Sequence, residues 1–412
     1  MNSKGILIAN RGEISIRIAR AAAELGIRSI AIYSEDDKAS LHTKMADDAI
    51  LIPGSGAKAY LDKNAIILAA QEMGCDALHP GYGFLSERAD FAEHCEASGI
   101  TFIGPSIEHL KLFGDKGEAR SAAIAAGVPV LRGIDRSVTL SEVEGFFDSV
   151  DGPIIIKASA GGGGRGTRIV ENKDALENAF IRCQSEADAA FGVCDLYVEE
   201  FLPHARHIEV QIIGDQCGNV VHLGERECSA QRRNQKVVEI APAPNFSITL
   251  RDKILNSAVT LAQQQSYKSL GTFEFLVDGN EPDSQFYFIE ANARLQVEHT
   301  VTEEVTGIDL VSSQIQVALG HSLTEIGLDA AESSVTKGYA IQARLNLETI
   351  NADGSVMPSS GKLTAYDVPN GLGVRTDGFG YVGYETSTAF DSLLAKVIIH
   401  TKTTNFQEAA SK

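Results

Sequence analysis

The segment Ile154-Ile-Ile-Lys-Ala-Ser-Ala-Gly-Gly-Gly-Gly-Arg-Gly-Thr-Arg-Ile-Val170 decides how the middle of the chain folds. Gly161, Gly163 and Gly166 match the GxGxxG spacing, but a dinucleotide-binding turn also requires a helix after the glycines. Here a second β-branched run follows at 167–170, so the glycines are predicted to form the tip of a β-hairpin. The P-loop spacing is absent as well. These observations disfavour a Rossmann or P-loop phosphate site.

Upstream of this hairpin, strand-like and helix-like runs alternate over roughly the first 110 residues. An apolar run at 5–9 precedes apolar residues at helical spacing, and residues 29–33, 77–79 and 101–103 read as further strands. Such alternation predicts a parallel, doubly wound α/β unit. The chain around the hairpin is predicted to be α+β, residues 207–298 to be strand-rich, and the region after Tyr339 to be β-rich with a last helix beginning near Asn405.

Composition limits the kinds of partner. The 412 residues include 36 Lys and Arg against 55 Asp and Glu, a net charge of −19. Nucleic acid and anionic membranes are therefore disfavoured, because both require a basic face. The sequence offers no apolar run long enough to span a membrane and no signal-peptide pattern. The six cysteines have no paired spacing, which indicates free thiols and a cytoplasmic location.

The glycine hairpin suggests a phosphate site of another kind. Backbone amides without neighbouring Cβ atoms can approach anionic oxygens closely, and a hairpin can also close over a nucleotide as a mobile flap. Lys116 and Lys157 are predicted to add positive charge to the phosphates. The alternative is a surface loop with two ordinary lysines.

Two apolar strands each contain one isolated acid. Glu274 lies in Thr272-Phe-Glu-Phe-Leu276 with its aromatic neighbours on the opposite face, and Glu290 ends a second aromatic run. A buried carboxylate is costly unless it is paired or binds a metal. With Asn292, these acids make an oxygen-rich set suited to Mg²⁺. The alternative is a pair of structural salt bridges.

Polar residues continue at strict period two from Glu290 through Asn292, Arg294 and Gln296 to Glu298. If this segment is extended, all of them line one face of a strand. A solvated edge strand can have this pattern, but the apolar residues upstream favour a site. The basic stretch Gln231-Arg-Arg-Asn-Gln-Lys236 is predicted to be an anion pocket, because no aromatics interleave it as they do in nucleic-acid surfaces.

Taken in order, these motifs resemble the biotin carboxylases of the ATP-grasp superfamily over essentially the whole chain. The resemblance rests on Ile8-Ala-Asn-Arg-Gly-Glu13, on His79-Pro-Gly-Tyr-Gly-Phe-Leu-Ser-Glu87 and on the glycine hairpin. It rests also on Glu225-Arg-Glu-Cys-Ser229 with the basic stretch after it, and on the run from Glu290 to His299. The sequence is most similar to the biotin carboxylase domain of a multidomain acyl-CoA or urea carboxylase.

The resemblance implies three domains: an N-terminal domain at 1–115, an ATP-grasp domain at 116–330 with a glycine-rich lid at about 130–203, and a truncated C-terminal domain at 335–412. It implies that ATP, Mg²⁺ (or Mn²⁺), bicarbonate and carrier-bound biotin are bound. The implied partners are a carrier domain and a carboxyltransferase domain, on the same longer chain or on separate subunits. Homo-oligomers are compatible with the resemblance.

The resemblance also assigns roles to individual residues. Glu298 would be the general base and Arg344 would stabilise the biotin enolate. The nucleotide would contact Lys116, Lys157, Gly162, Gly163, Gly164, Glu199, Leu202, His207 and Gln231. Bicarbonate would be held by Lys236, Arg294, Gln296 and Val297, and the metal by Glu274 and Glu290 with Asn292. The predicted cationic pocket consists of Lys116, Lys157, Arg232, Arg233, Lys236, Arg294 and Arg344.

Asn234, Glu200 and Thr300 depart from residues that are common in the family, namely His, Lys and Pro. Two other functions remain as alternatives to biotin carboxylation. One is a different ATP-grasp ligase of the carbamoyl-phosphate type, and the other is a catalytically inactive nucleotide-binding domain within a larger assembly. The final carboxyl acceptor depends on another domain, so this sequence does not identify it.

Overall fold

The N-terminal part of the protein forms a parallel sheet with helices on both faces. We describe the computed structural model for residues 3–134, 136–158, 166–192, 195–329 and 336–412. The five strands have the order β3-β2-β1-β4-β5, and every pairing is parallel, as predicted for a doubly wound unit. They are β1 (Ile6–Ile8), β2 (Ser29–Tyr33), β3 (Asp48–Leu51), β4 (Ala77–His79) and β5 (Thr101–Phe102).

Helices cover this sheet because its central strands are apolar on both sides. Leu7 packs into one core cluster, while Ile6 and Ile8 pack into another on the opposite face. The first helix ends where Gly26 adopts a φ of 69°, a conformation that glycine tolerates readily. The helices are α1 (Gly12–Glu24), α2 (His42–Met45), α3 (Gly56–Ala59), α4 (Lys63–Glu72), α5 (Ala89–Ala97), α6 (Ile107–Gly114) and α7 (Lys116–Ala125).

A second, smaller sheet contains the predicted hairpin. Strands β6 (Gly133–Ile134), β7 (Ile154–Ala158), β8 (Thr167–Val170) and β9 (Leu196–Glu200) have the order β6-β9-β7-β8. The antiparallel pairing of Ile154 with Val170 confirms that the two β-branched runs are partners in a hairpin. The helices α8 (Leu140–Ser149) and α9 (Leu176–Phe191) complete this unit, which has its own apolar core. The hairpin tip lies outside the described residues.

The remaining chain builds one large sheet of eight strands in the order β14-β13-β10-β11-β12-β15-β21-β19. Its first half consists of β10 (Arg206–Gly214), β11 (Val220–Arg232), β12 (Gln235–Ala241), β13 (Ser269–Asp278) and β14 (Gln285–Asn292). The other strands are β15 (Tyr339–Asn346), β19 (Val374–Gly378) and β21 (Leu393–Thr401), with short pairs β16 (Glu348–Ile350)–β17 (Val356–Pro358) and β18 (Gly361–Lys362)–β20 (Glu385–Thr386) beside them. The helices here are α10 (Ile248–Gln264), α11 (His299–Thr306), α12 (Leu310–Ala318) and α13 (Phe406–Ser411).

The two halves of this sheet are continuous. Antiparallel pairing of β12 with β15 aligns Val238 with Ala343 and Glu239 with Gln342. The strands on either side of this seam come from regions that the sequence assigns to different domains. Side chains from both regions therefore project from neighbouring strands at fixed spacing.

Several sequence predictions can be compared directly with these elements. The mixed α/β architecture is confirmed, and so is the placement of Glu274 on the face opposite its aromatic neighbours, since Phe273 and Phe275 are fully buried in the core. The extended run is only partly correct, because β14 ends at Asn292 and Glu298 is the N-cap of helix α11. Within the described residues, Cys75, Cys95, Cys183, Cys217 and Cys228 are unpaired, and no helix has the length and apolarity needed to cross a membrane.

Candidate active site

A cavity of about 590 Å³ lies between the N-terminal unit and the large sheet. The N-terminal loops contribute residues such as Glu13 and Tyr82, and strands from both halves of the sheet form the opposite wall. The cavity brings together many of the side chains that the sequence predicted for the site: His207, Gln231, Lys236, Glu274, Glu290, Asn292, Arg294, Gln296, Val297, Glu298 and Arg344. The period-two residues thus converge even though only the first of them lie on a strand.

Lys236 contacts three carboxylates at the cavity. Its Nζ lies 2.5 Å from Glu209, 2.9 Å from Glu274 and 2.8 Å from Glu298. Burial acts to lower the pKa of Lys236, but the three carboxylates outweigh burial and raise this pKa well above its ordinary value. The ammonium group is therefore held in its charged form and is shared among three carboxylates.

Glu298 is buried between two cations. Its Oε1 accepts from Lys236 and its Oε2 accepts from Nη2 of Arg344 at 3.0 Å. Burial alone would raise the pKa of Glu298, yet Lys236, Arg344 and Arg226 hold this pKa below its ordinary value. The side chain is thus an ionised carboxylate that can accept a proton when a ligand draws its cationic partners away.

Glu274 and Glu290 face each other across the β13–β14 pair. The side-chain nitrogen of Asn292 bridges them, 2.7 Å from Glu274 and 3.4 Å from Glu290. Burial would raise the pKa of Glu274, but Lys236 and His207 lower it well below its ordinary value. Two carboxylates on adjacent strands are donors of the kind that Mg²⁺ prefers, so the residues fit the predicted metal.

Other residues predicted for the site surround this pair. Arg294 donates to Glu87 at 2.9 Å and to the side-chain oxygen of Asn292 at 2.9 Å. Gln296 donates to Glu274 at 2.9 Å, and Nε2 of His207 lies 2.5 Å from the same carboxylate. Burial acts to lower the pKa of His207, whereas Glu274 raises it, and the net effect is a raised pKa.

The predicted nucleotide residues lie partly outside this cavity. Lys157 on β7 forms a 2.6 Å ion pair with Glu199 on β9, within the small sheet. Lys116 lines a neighbouring cavity of about 190 Å³, where burial lowers its pKa. Leu202 is half-buried just after β9. The predicted contacts Gly162, Gly163 and Gly164 lie outside the described residues.

The basic stretch does not form an anion pocket as a whole. Arg233 and Asn234 have φ values of 51° and 62°, so they form a tight two-residue turn between β11 and β12. Asn accepts this left-handed conformation more readily than most residues, which accounts for Asn234 at the turn. The turn directs Arg232 toward Glu348, and neither Arg232 nor Arg233 lines the cavity. The cationic pocket predicted to include these two arginines was wrong in that respect.

Three buried site residues escaped the sequence analysis. Glu209 contacts Lys236 and the fully buried Arg226, and Glu239 lies 2.6 Å from Arg344. Burial raises the pKa of Glu239 to about 7, although Arg344 opposes this effect. Each of the two acids lies between apolar neighbours on a strand, which is the same signal that identified Glu274 and Glu290.

Comparison with known sequences matches three family models to successive parts of the chain. The family described as "Biotin carboxylase, N-terminal domain" matches residues 2–110, and "Biotin carboxylase C-terminal domain" matches residues 342–412. Between them, "Carbamoyl-phosphate synthase L chain, ATP binding domain" matches residues 115–326.

Two curated relatives are pyruvate carboxylases. The Bacillus subtilis enzyme is 50% identical over 414 residues, covering 99% of this chain and 35% of its own length. The human mitochondrial enzyme is 51% identical over 404 residues, covering 97% of this chain and 34% of its own length. The chain therefore spans about a third of these relatives.

A solved structure matches over the full chain. The biotin carboxylase domain of Hydrogenobacter thermophilus 2-oxoglutarate carboxylase is 42% identical with a TM-score of 0.94, covering 100% of this chain and 88% of that one. That domain was solved with MgADP, ADP and bicarbonate. The domain matches, the identity and the shared architecture agree with one another, and the chain belongs to the biotin carboxylases, a family of ATP-dependent carboxylases.

Proposed function

We propose that this chain carboxylates biotin on a carrier domain, using ATP and bicarbonate and passing through carboxyphosphate. This is the first half-reaction of a biotin-dependent carboxylase. The observation that supports it most strongly is the cluster of Lys236, Glu298 and Arg344, which lies in one cavity with the facing carboxylates Glu274 and Glu290. The cluster offers a base and cations beside a metal site.

The nucleotide binds between the smaller sheet and the large sheet. Lys116 and Lys157 contact its phosphates together with Gly162, Gly163 and Gly164, while Glu199 and Leu202 flank the adenine and His207 and Gln231 lie near the nucleotide. Glu274 and Glu290 hold Mg²⁺, and Asn292 orients both carboxylates. When bound, the metal neutralises charge on the transferring phosphoryl group.

Bicarbonate binds between Lys236, Arg294, Gln296 and the backbone of Val297. Glu298 removes the proton from its hydroxyl, and a bicarbonate oxygen forms a bond to the γ-phosphorus as the bond to the β-phosphate oxygen breaks. ADP leaves and carboxyphosphate remains. As the anion draws Lys236 toward itself, Glu298 loses part of its cationic stabilisation and becomes a stronger base.

Biotin then takes up the carboxyl group. Carboxyphosphate splits into CO₂ and phosphate, and the phosphate accepts the N1′ proton of biotin. Arg344 stabilises the negative oxygen of the resulting enolate, and N1′ forms its new bond to the CO₂ carbon. A closed hairpin over this site protects carboxyphosphate from water.

The test is ADP release with bicarbonate, measured with and without free biotin. We expect biotin-dependent turnover that Glu298→Gln lowers by about 100-fold or more, because the variant cannot accept the proton. Glu304→Gln is the matched control, since Glu304 lies on helix α11 but does not line the cavity. Absence of biotin-dependent turnover in the wild-type chain would contradict the proposal.

The central match to a carbamoyl-phosphate synthase ATP-binding domain supports a second candidate, a ligase that uses ammonia instead of biotin. Turnover that depends on ammonia and not on biotin would select it. A chain that hydrolyses no ATP under either condition would be an inactive nucleotide-binding domain.

The proposed partners are a biotin carrier domain and a carboxyltransferase domain, on the same longer chain or on separate subunits. The relatives named above are carboxylases of pyruvate and 2-oxoglutarate, which favours a 2-oxo acid as final acceptor over the acyl-CoA or urea that the motifs suggested. Supplying the chain with carrier and carboxyltransferase, and following labelled bicarbonate into pyruvate, acetyl-CoA or urea, distinguishes these acceptors.

A further inference from the structure

Arg344 is held at two points of its guanidinium group. Its Nε donates to Glu239 at 2.6 Å, and its Nη2 lies 2.6 Å from the same oxygen and donates to Glu298 at 3.0 Å. Two separate anchors fix the plane of a guanidinium group, whereas a single anchor leaves it free to rotate. The direction in which Arg344 faces the cavity therefore depends on both carboxylates.

Glu239 itself does not reach the cavity. It is fully buried on β12, and it lies behind Arg344 and not among the cavity-lining residues. Its other oxygen accepts from the side-chain nitrogen of Gln342 at 2.8 Å, its partner across the β12–β15 seam. Among the residues that line the cavity, the side chain of Glu239 accepts hydrogen bonds only from Arg344 within the described residues, so its direct contact with the site is through that guanidinium group.

A third residue fixes Gln342. The hydroxyl of Thr300 donates to the side-chain oxygen of Gln342, which leaves the amide nitrogen directed at Glu239. Thr300 is fully buried in the first turn of helix α11, directly after Glu298 and His299. The contacts thus run from Glu298 through Arg344, Glu239 and Gln342 to Thr300, which is two residues after Glu298 in the sequence.

We propose that Glu239 is a positioning residue that orients Arg344 toward biotin, and that Thr300 sets Glu239 through Gln342. The inference rests on the proposed function and specifies which step Glu239 serves. Glu298 keeps its own anchor on Lys236 when Glu239 is removed. The bicarbonate step should therefore survive, while the biotin step loses its oriented guanidinium.

The kinetic test compares two rates in each variant: ADP release with bicarbonate alone and ADP release with bicarbonate and biotin. We expect Glu239→Ala to lower the biotin-dependent rate about tenfold or more, because Arg344 can rotate away, and to change the biotin-independent rate by less than about threefold. Glu239→Gln should restore most of the rate, since the hydroxyl of Thr300 can also accept and the amides can reverse direction. Thr300→Val should give a smaller loss of the same kind.

Two matched controls separate positioning from general damage. Glu225 is a buried acid on β11 that pairs with Arg251 at 2.7 Å and does not line the cavity, so Glu225→Ala should leave the ratio of the two rates unchanged. Thr306→Val makes the same substitution as Thr300→Val in the last turn of helix α11. Equal losses of both rates in Glu239→Ala would overturn the inference. If Glu239→Ala fails to fold, Glu239→Gln and Thr300→Val decide the question by the same ratio.

A spectroscopic measurement tests the positioning without catalysis. The Nε proton of Arg344 is engaged by a buried carboxylate and should give a slowly exchanging ¹H–¹⁵N signal, identified by its loss in Arg344→Lys. The signal should exchange at least about tenfold faster in Glu239→Ala but not in Glu225→Ala. An unchanged signal in Glu239→Ala would overturn the inference, whereas a wild-type chain inert toward biotin would count against the proposed function alone.

Discussion

Glu13 and Lys396 form a buried ion pair with 3.0 Å between Oε2 and Nζ. Glu13 lies at the start of helix α1 and Lys396 on β21, so the pair joins the N-terminal unit to the far half of the large sheet. Lys396 also donates to the backbone carbonyl of Val297 at 3.1 Å. One ammonium group thus connects both regions to the loop that precedes Glu298.

Replacing Lys396 should therefore destabilise the protein strongly. Lys396→Met leaves the Glu13 carboxylate buried without its cation, which we expect to lower the free energy of unfolding by about 3–5 kcal/mol. The double variant Glu13→Gln/Lys396→Met removes both charges and should lose less. Urea denaturation of the single and double variants measures this coupling, and a double variant less stable than Lys396→Met would contradict it.

Removal of one facing carboxylate should weaken metal binding. We expect Glu290→Gln to raise the free Mg²⁺ concentration for half-maximal stabilisation of bound ADP by about tenfold, because one ionic ligand is lost. Calorimetric titration of ADP at several Mg²⁺ concentrations measures this shift independently of turnover. Glu281→Gln, on the exposed turn between β13 and β14, is the control and should match wild type.

Nucleotide affinity should depend on Lys157. We expect Lys157→Met to raise the dissociation constant of ADP roughly tenfold, since one cation for the phosphates is lost. Lys173 is an exposed lysine that pairs with Asp148 at 2.6 Å, and Lys173→Met should leave ADP affinity unchanged. Equal affinities of the two variants for ADP would remove Lys157 from the nucleotide site.

Stability should fall as the solution is acidified, and one cause is a buried histidine. His42 lies 2.8 Å from the hydroxyl of Ser40 and 3.0 Å from the carbonyl of Ile32, and burial lowers its pKa from 6.5 to about 4. Between these two values the unfolded chain binds a proton that the folded chain does not. The stabilisation is therefore complete above pH 6.5 and is lost as the pH falls toward 4.

His42 is expected to change the free energy of unfolding by up to ~1.4 kcal/mol per pH unit between pH 4 and pH 6.5. Urea denaturation at several pH values should show a shallower decline for His42→Gln than for wild type. The exposed His204 provides the control, because His204→Gln should leave the slope unchanged. Identical slopes for wild type and His42→Gln would contradict the prediction.

The secondary structure was most predictable where burial alone determined the sequence pattern. Four of the five parallel strands were predicted, because strands buried on both faces are continuous apolar runs, as in residues 29–33. Strand β3, which begins with Asp48 and is partly exposed, was missed. Strand β12 was missed because its sequence, Gln-Lys-Val-Val-Glu-Ile-Ala, contains the charged residues Lys236 and Glu239. Their partners, Glu209 and Arg344 among them, lie on other strands. Helix α11 was missed because Thr and Val dominate it and it is buried on nearly all sides.

Many of the residues that line the cavity were named from the sequence, but the contacts among them were not. The isolated acids Glu274 and Glu290 were visible in the sequence, and the same rule applied consistently would have found Glu209 and Glu239. Lys236 contacts three carboxylates, and which carboxylates it reaches depends on which strands are neighbours in the large sheet. No local pattern carries that information, because β10, β12 and β13 are separated by long stretches of chain.

The continuous eight-stranded sheet also determines the order in which the residues of the cavity can be assembled. A growing polypeptide can form the parallel sheet and the smaller sheet, and can bring together the carboxylates on β13 and β14, while β15 is still being synthesised. Arg344 acquires its place only when β15 enters between β12 and β21, and β21 is the last strand of the sheet in chain order. During synthesis, Arg344, which we propose to act on biotin, therefore reaches its place after Glu274 and Glu290, which we propose to bind the metal.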